Sequence, residues 1–163
     1  MHNQLVCYQD LSDVQRQQLT HIKVMDAQKS FSGDIHGALN SLLVNATADI
    51  RGFALLADQQ PVGFLLLKRG IYLPAWAAAD AATLHALQID RRMQGQGLGK
   101  ACLQALPETT RRVWPDIRQL MLSVDEDNTT ALGLYLSQGW VDTGEAYRGR
   151  IGYERRLALN LLG

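Results

Sequence analysis

The sequence predicts a mixed α/β fold in one domain spanning residues 1–163. Three observations support this prediction. Segments of strand and helix character follow one another in the order β-α-α-β-β-β-α-β-α-β-β. A chain of 163 residues with 47% hydrophobic content is long enough to bury a core. No repeat, linker or low-complexity tract divides the chain into two parts.

The first half of the chain predicts three strands and two helices. Ser12 is a suitable N-cap for a helix reaching about Met25, and Asp34 for a second helix reaching about Asn45, because apolar residues then recur at three- and four-residue steps. Short apolar runs predict the strands, the last two joined as a hairpin by Asp58-Gln-Gln-Pro61. These strands are expected at residues 5–8, 53–57 and 62–68.

The second half predicts four strands and two helices. An apolar strand at 84–89 leads into a long amphipathic helix at 98–113. Trp114-Pro115 ends that helix, because proline disfavours the helical conformation at the residue before it. The remaining elements are expected as a strand at 117–124, a helix at 129–137, and strands at 140–145 and 151–159.

A glycine-rich run between the fourth strand and the long helix is the most informative motif. It reads Gln94-Gly95-Gln96-Gly97-Leu98-Gly99-Lys100. A strand, a glycine turn and a helix start aim backbone N–H groups at an anion, and glycines allow its close approach. The run therefore predicts a pyrophosphate cradle.

Two common phosphate loops fit this run poorly. The P-loop needs four residues between its first glycine and the Gly-Lys pair, then Ser or Thr for magnesium. Here three residues separate Gly95 from Gly99, and Ala101 has no hydroxyl. The dinucleotide fingerprint needs G-x-G-x-x-G near the start of its domain, whereas these glycines sit at 95, 97 and 99, past the middle of the chain.

The run instead resembles the acetyl-CoA loop of the GNAT superfamily of N-acetyltransferases, Gln/Arg-x-x-Gly-x-Gly/Ala. The segment from Asn128 through Tyr135 to Gly139-Trp140 is similar to the superfamily's second signature, Asn-x-x-Ala-x-x-Leu-Tyr-x-x-x-Gly-Phe/Trp. Together the two blocks cover roughly residues 62–157. The resemblance implies a central mixed sheet of six to seven strands, flanked by about four helices, whose strands splay apart at the acetyl-CoA site.

The resemblance also implies acetyl-CoA as co-substrate, with no metal. The pyrophosphate would lie on the N–H groups of Gln94, Gly95, Gln96, Gly97, Leu98, Gly99 and Lys100. The pantetheine arm would pair with the backbone of Leu87, Gln88 and Ile89, and would contact Asn128, which also suits a helix cap. Lys100 or Arg92 would neutralise phosphate charge, or would be ordinary solvated charges.

Tyr135 matches the position of the superfamily's general acid, beside the thioester sulfur, and is also expected to contact the cofactor. A phenol with a pKa of about 10 holds a proton at neutral pH and can give it to the leaving thiolate. The alternative is a core tyrosine that packs its helix.

His85 is the candidate base. Strand alternation predicts Thr83, His85, Leu87 and Ile89 on one face, and histidine titrates near neutral pH. The strand is similar to that of arylalkylamine N-acetyltransferases, which carry two histidines there. His85 matches the second and Thr83 replaces the first. Considered without the resemblance, such a histidine is more often a hydrogen-bonded core residue.

The acceptor amine is less constrained by the sequence. Residues 24–31 loosely resemble bacterial polyamine acetyltransferases, which recognise cations with acidic pockets. The acidic candidates are Asp26, Asp34, Asp80, Asp125 and Glu126. An insertion at 71–81 carries Tyr72 and Trp76, which would form an aromatic wall over the acceptor or pack on the sheet as a hydrophobic loop.

These motifs predict an acyltransferase that moves acetyl directly from acetyl-CoA to a primary amine of a small molecule, with polyamines and arylalkylamines favoured. Direct transfer is expected because Cys102 lies among apolar neighbours in the long helix and no cysteine occupies a signature position. A CoA-binding sensor without catalysis, or transfer to a protein amine, remains open.

Composition indicates which partners and which cellular location to expect. Sixteen basic and sixteen acidic side chains balance, which gives no electrostatic case for nucleic acid. Cys7 and Cys102 are expected to be free thiols in a reducing cytosol. No signal peptide and no apolar run of ~18 residues is apparent, so a cytoplasmic protein without membrane attachment is expected. Because the last strands of the resembled fold often supply a dimer edge, a homodimer is one expected state.

Overall fold

The computed structural model describes residues 2–25, 33–44, 47–149 and 152–161, whose strands form one seven-stranded mixed sheet. The strands are Asn3–Cys7 (β1), Ile50–Ala57 (β2), Gln60–Lys68 (β3), Ala81–Ile89 (β4), Gln119–Asp125 (β5), Val141–Arg148 (β6) and Tyr153–Asn160 (β7). Their order in the sheet is β1-β2-β3-β4-β5-β7-β6. β4 and β5 run parallel, and the other neighbouring pairs run antiparallel.

Four α-helices occur in the described ranges: Asp13–Leu19 (α1), Ile35–Val44 (α2), Leu98–Val113 (α3) and Thr129–Ser137 (α4). Short 3-10 turns lie at Tyr8–Asp10, Gly70–Tyr72 and Arg91–Met93. The order of strands and helices confirms the predicted mixed α/β fold with its seven strands and four helices.

Both N-terminal helices begin where the sequence predicts. The Ser12 hydroxyl accepts from Gln15 N at 3.1 Å while the Gln15 side chain accepts from Ser12 N at 3.0 Å, a capping box. Asp34 Oδ1 accepts from Gly37 N at 2.8 Å, which caps α2. The predicted end of α2 at Asn45 lies outside the described residues.

The prediction that α1 reaches about Met25 is wrong, because this helix ends at Leu19. The Thr20 hydroxyl donates to Gln17 O at 2.6 Å, and Thr20 N also bonds to that carbonyl. Such local bonds tighten and end a helix. Ile22, which continues the apolar spacing, is buried from an extended segment instead.

An apolar core covers each face of the sheet. The first core lies under α3 and α4, where Leu98, Cys102, Leu103 and Leu106 meet Leu65, Leu67 and Leu84. The second core lies under α1 and α2, where Leu19, Ile35, Ala38 and Leu39 meet Ala54, Leu56, Phe64 and Leu66. Burying both faces explains why β2 and β3 read as continuous apolar runs rather than alternating ones.

β4 contains a bulge that interrupts its alternation. Leu66 of β3 pairs with His85, and Phe64 pairs with Gln88, so two residues lie between the pairing positions on β4 and one lies between them on β3. Ala86 takes a left-handed conformation with φ of +56° at this point. An extra residue of this kind shifts the side chains that follow it to the opposite face.

The prediction that Thr83, His85, Leu87 and Ile89 share one face is therefore wrong. Leu87 and Ile89 pack against the first core. Thr83 and His85 precede the bulge and lie on the face of the second core, since the β3 partner of His85 belongs to that core. Alternation alone could not predict this division, because it assumes a regular strand.

β4 and β5 diverge beyond a short paired segment. Their pairs are Ala81 with Gln119, Ala82 with Leu120, and Thr83 with Met121. Past Thr83, β4 continues along β3 while β5 continues along β7, and no further β4–β5 pair forms between these described strands. This opening confirms the predicted splay in the sheet. β4 begins at Ala81 rather than at the predicted residue 84, because residues 81–83 pair with β5.

Candidate active site

A cavity of about 360 Å³ fills the opening between β4 and β5. β4 contributes residues 84–89 to its lining and β5 contributes residues 122–125. The start of α4, the glycine loop at 94–100, the 71–81 insertion and β7 each add at least one side chain. The cavity therefore brings together residues that are far apart in the sequence.

Two glycines of the loop adopt a left-handed conformation and leave open space around them. Gly95 and Gly97 have φ of +79° and +76°, the left-handed region that favours glycine. Gly97 is the N-cap of α3, so the first free N–H groups of this helix follow it. A Cβ placed on Gly95 or Gly97 would meet no atom within 4 Å, which leaves the loop open to a ligand.

Two loop residues tie this cradle to the cavity, whose lining includes both Gln94 and Gly99. Gln94 Nε2 donates to the carbonyl of Ile89 at 2.9 Å. A Cβ on Gly99 would lie 3.0 Å from a methyl carbon of Leu134, so a glycine there allows α3 and α4 to approach closely.

The two candidate phosphate cations differ in their surroundings. Arg92 binds the buried carboxylate of Asp90 through Nε at 3.2 Å and through a terminal nitrogen at 2.8 Å. Burial raises the pKa of Asp90, but the hydrogen bonds and charge of Arg92 outweigh it and hold that pKa below its usual range. Lys100 is exposed on the first turn of α3. Within the described ranges, Lys100 forms no ion pair with a carboxylate, whereas Arg92 does.

Tyr135 lies on α4 and lines the cavity with 8% of its surface exposed. Its ring meets Trp140 edge-on, with 5.6 Å between ring centroids. Burial raises the pKa of Tyr135, and the nearby Cys102 adds to this effect. The phenol therefore holds its proton at neutral pH. Asn128, the N-cap of α4, lines the same cavity.

His85 also lines the cavity, and its environment keeps it neutral. Its Nε2 lies 2.6 Å from the hydroxyl of Thr83, which is fully buried. Burial and the positive charge of Lys68 lower the pKa of His85 to about 4. Its imidazole can exchange hydrogen bonds at neutral pH but attracts a proton weakly.

Some of the predicted acidic candidates line the cavity and others do not. Asp125 lines the cavity, with Oδ1 accepting from Asp127 N at 2.8 Å. Asp34, Asp80 and Glu126 are not part of the lining, and Asp26 lies outside the described residues.

The two aromatic residues of the 71–81 insertion also differ in whether they line the cavity. Trp76 lines the cavity, whereas Tyr72 packs against the second core. The guanidinium of Arg156 lies 5.0 Å from the centre of the Trp76 ring and 3.3 Å from that of Tyr147. One aromatic side chain of the insertion therefore reaches the cavity, and an arginine of β7 supports it.

Sequence reasoning missed Ser123 and Glu154. Both line the cavity, and Ser123 Oγ donates to Glu154 Oε2 at 2.5 Å. Neither residue belongs to a motif. The signal that would have found them is their place on β5 and β7, which depends on the pairing register of two strands about thirty residues apart.

The described residues contain neither a metal-binding cluster nor a membrane-spanning helix. In the part of the chain that the structure describes, no group of three or more His, Cys, Asp or Glu side chains could hold a metal ion. None of the described helices is long and apolar enough to cross a membrane.

A sequence model described as the acetyltransferase (GNAT) family matches residues 17–140. This match includes the glycine loop and the segment from Asn128 to Trp140. No curated protein sequence matched the chain.

Solved structures of similar fold cover nearly all of the chain. A spermidine N-acetyltransferase from Vibrio cholerae, in complex with CoA and spermine, has a TM-score of 0.71 at 18% identity, covering 99% of this chain and 98% of its own. The aminoglycoside acetyltransferase AAC(6')-Ib, in complex with coenzyme A and kanamycin, has 0.72 at 15% identity, with 98% and 95% covered. The ribosomal-protein-S18-alanine N-acetyltransferase from Escherichia coli has 0.63 at 21% identity, with 98% and 94% covered.

Proposed function

Because the chain belongs to the acetyltransferase (GNAT) family, we propose that it transfers acetyl from acetyl-CoA directly to a primary amine of a small molecule. We treat residues 1–163 as one acetyltransferase domain. The observation that carries the proposal is the cavity between β4 and β5, which joins an open glycine loop at 94–100 to the buried phenol of Tyr135. Similar folds have been solved with coenzyme A, which supports this choice of co-substrate.

The proposed CoA site follows the line from the glycine loop into the cavity. Residues 94–100 would receive the pyrophosphate on their N–H groups, assisted by the dipole of α3 and by Lys100. Leu87, Gln88 and Ile89 lie on the β4 edge that has left β5, and we propose that their backbone groups pair with the pantetheine arm. Asn128 would contact the same arm from the start of α4.

Tyr135 is the proposed general acid. The neutral amine nitrogen bonds to the thioester carbonyl carbon, the carbon–sulfur bond breaks, and the leaving thiolate takes the phenol proton. Burial keeps that proton on the phenol until negative charge develops on the leaving sulfur.

Direct transfer agrees with the state of the other candidate nucleophile. Cys102 is buried in the first core, and burial raises the pKa of its thiol to about 12. A thiol in that state is unsuited to forming an acetyl-enzyme intermediate. We therefore propose one chemical step, from CoA to the amine.

His85 is proposed to lie on the path of the amine proton. Its ring is in the cavity with Nε2 engaged by Thr83, so the imidazole is held in a fixed orientation. With a pKa of about 4 it is suited to orienting the amine through a hydrogen bond or to passing a proton onward, rather than to storing one.

The proposed acceptor is a polyamine or an arylalkylamine. Asp125 and Glu154 give the cavity two carboxylates, and Trp76 adds an aromatic wall. Two similar folds were solved with the cationic amines spermine and kanamycin, which is consistent with this choice. The Escherichia coli neighbour is named for transfer to a protein alanine, so a protein amine is the second candidate.

The test is thiol release from acetyl-CoA with a panel of amines, run on the wild type, on Tyr135→Phe and on Tyr72→Phe as a matched control. Tyr72 packs against the second core rather than the cavity. We expect turnover of spermidine or 2-phenylethylamine that falls by about 100-fold in Tyr135→Phe alone, as expected for loss of a general acid.

Other outcomes would redirect the proposal. Full activity in Tyr135→Phe would remove the general-acid role. CoA binding without acetylation of any amine on the panel would favour a sensor, or transfer to a protein amine, over a small-molecule acceptor.

A further inference from the structure

We propose that Glu154, acting through the hydroxyl of Ser123, receives the ammonium group of the acceptor and takes its proton. This inference rests on the proposed acetyl transfer and adds to it a base that no motif carries. Ser123 Oγ donates to Glu154 Oε2 at 2.5 Å, and both residues line the cavity between β4 and β5.

Strand pairing places this pair on the same face of the sheet as His85. On β5, Leu120, Leu122 and Val124 belong to the first core, so the alternate residues Met121 and Ser123 face the other side. Met121 pairs with Thr83, two residues before His85 on the same face. Ser123 is the next residue of β5 on this face after Met121. It lies just beyond the last β4–β5 pair, where the opening begins.

β7 brings Glu154 to the same place. It pairs with Asp125 on β5, while Ser123 pairs with Arg156. The backbone of Gly149, the residue after β6, lies close against the carboxylate, because a Cβ added there would collide with Glu154. This close packing from one side and the Ser123 hydroxyl on the other hold the carboxylate in position.

The other titratable groups that line the cavity are less suited to take a proton. Tyr135 already holds one, and His85 binds one weakly. Asp125 uses Oδ1 to accept from Asp127 N in the turn before α4. Arg156 is directed between Trp76 and Tyr147.

In the part of the chain that the structure describes, the hydroxyl of Ser123 is the hydrogen-bond partner of the Glu154 carboxylate. Among the described residues, no arginine or lysine forms an ion pair with it within 4.0 Å, although Arg156 follows on the same strand face. A carboxylate in a half-buried cavity, with one hydroxyl partner, attracts an ammonium group and can accept a proton from it.

An alkylamine arrives protonated at neutral pH, since amines of this type have a pKa of about 10. One N–H proton passes to Ser123 Oγ as the serine proton passes to Glu154 Oε2, leaving a neutral nitrogen. Nitrogen then bonds to the acetyl carbon, and sulfur leaves and takes the Tyr135 proton. The second nitrogen proton restores that phenol along the path proposed for His85. Glu154 finally releases its proton to solvent, so the reaction yields one proton overall.

The test compares an alkylamine with its β,β-difluoro analogue, which is far less protonated at pH 7.5. Glu154→Gln is measured beside Glu126→Gln, a matched control on a neighbouring residue that does not line the cavity. We expect kcat/KM of Glu154→Gln to fall about 100-fold for the alkylamine and less than tenfold for the difluoro amine. Ser123→Ala should fall at least tenfold for the alkylamine, and CoA affinity should not change in any variant.

Several results would overturn this inference while leaving acetyl transfer intact. Wild-type activity in Glu154→Gln would exclude the carboxylate, and equal losses for both amines would exclude proton transfer.

If the wild type acetylates no amine, the proposed function fails. Calorimetric titration of the alkylamine into the CoA-saturated protein then tests the ammonium site without acetyl transfer. Amine binding that is at least tenfold weaker in Glu154→Gln than in the wild type supports the ammonium site. Equal binding by the two proteins, or no binding by the wild type, overturns it.

Discussion

His85 shows how the surroundings of one side chain affect both chemistry and stability. Burial and the charge of Lys68 lower its pKa to about 4 in the folded chain, against 6.5 ordinarily. Between these values the unfolded chain binds more protons than the folded one. The free energy of unfolding therefore rises with pH across this window, and the stability is lost as pH falls through it.

A His85→Gln variant should lose this dependence. On going from pH 7.5 to pH 5, we expect the wild type to lose about 2 kcal/mol more unfolding free energy than His85→Gln. Urea unfolding at both pH values measures the difference. His21→Gln, at an exposed position, controls for the loss of an imidazole. Parallel pH profiles for the wild type and His85→Gln would show that this environment is not present in solution.

The site residues differ in how far the sequence could predict them. Tyr135 and Asn128 belong to one helical motif, so their spacing along α4 already brings both to the cavity. Ser123 and Glu154 meet only through the pairing of β5 with β7. That register depends on the packing of the whole sheet, and no local pattern encodes it.

At the scale of the elements, two glycines in different backbone states give opposite predictions. Gly97 caps α3 with φ of +76°, and a Cβ there would meet no atom, so any cost of Gly97→Ala comes from backbone strain alone. Gly133 lies in the exposed interior of α4, also with open space around it. We expect Gly97→Ala to destabilise the fold by about 1–2 kcal/mol and Gly133→Ala to stabilise it by about 0.5–1 kcal/mol.

Chemical denaturation measures both effects, and titration with CoA adds a second readout. If the glycine loop holds the pyrophosphate, Gly97→Ala should also weaken CoA binding, whereas Gly133→Ala should not. Equal stability changes in the two variants would contradict the left-handed conformation at Gly97. Unchanged CoA binding in Gly97→Ala would count against the proposed cradle.

Element boundaries were predictable where a local signal fixed them. α3 and α4 begin and end as predicted, because a glycine turn, a proline break and an asparagine cap mark their ends. α1 was predicted too long, since Ile22 and Val24 kept the helical spacing of apolar residues although they are buried from an extended segment. The bulge at Ala86 was also missed, because no glycine marks its left-handed conformation.

Across the whole molecule, the sheet is continuous at one end and open at the other. β4 and β5 share only three paired positions, so the unit β1–β4 and the unit β5–β7 are joined mainly there and through the cores. Along the opening, the facing backbone edges of β4 and β5 do not pair with each other. A ligand that fills the opening would supply a partner and link the two units.

Hydrogen exchange should detect this link when CoA binds. At a CoA concentration of about 100 Kd, binding should stabilise the fold by about 2.7 kcal/mol overall. We expect added protection to be largest in residues 84–100 and 122–135, and smaller in the β2–β3 hairpin, whose backbone pairs are complete without ligand.

A truncated ligand separates the two parts of the proposed CoA site. 3′-Phospho-ADP carries the pyrophosphate without the pantetheine arm, so it should protect residues 94–100 and leave 84–89 unchanged. Protection of both segments by the truncated ligand would mean that β4 responds to loop closure rather than to a paired arm. Protection by CoA that is equal in the hairpin and the opening would show global stabilisation alone, and would contradict a ligand placed between β4 and β5.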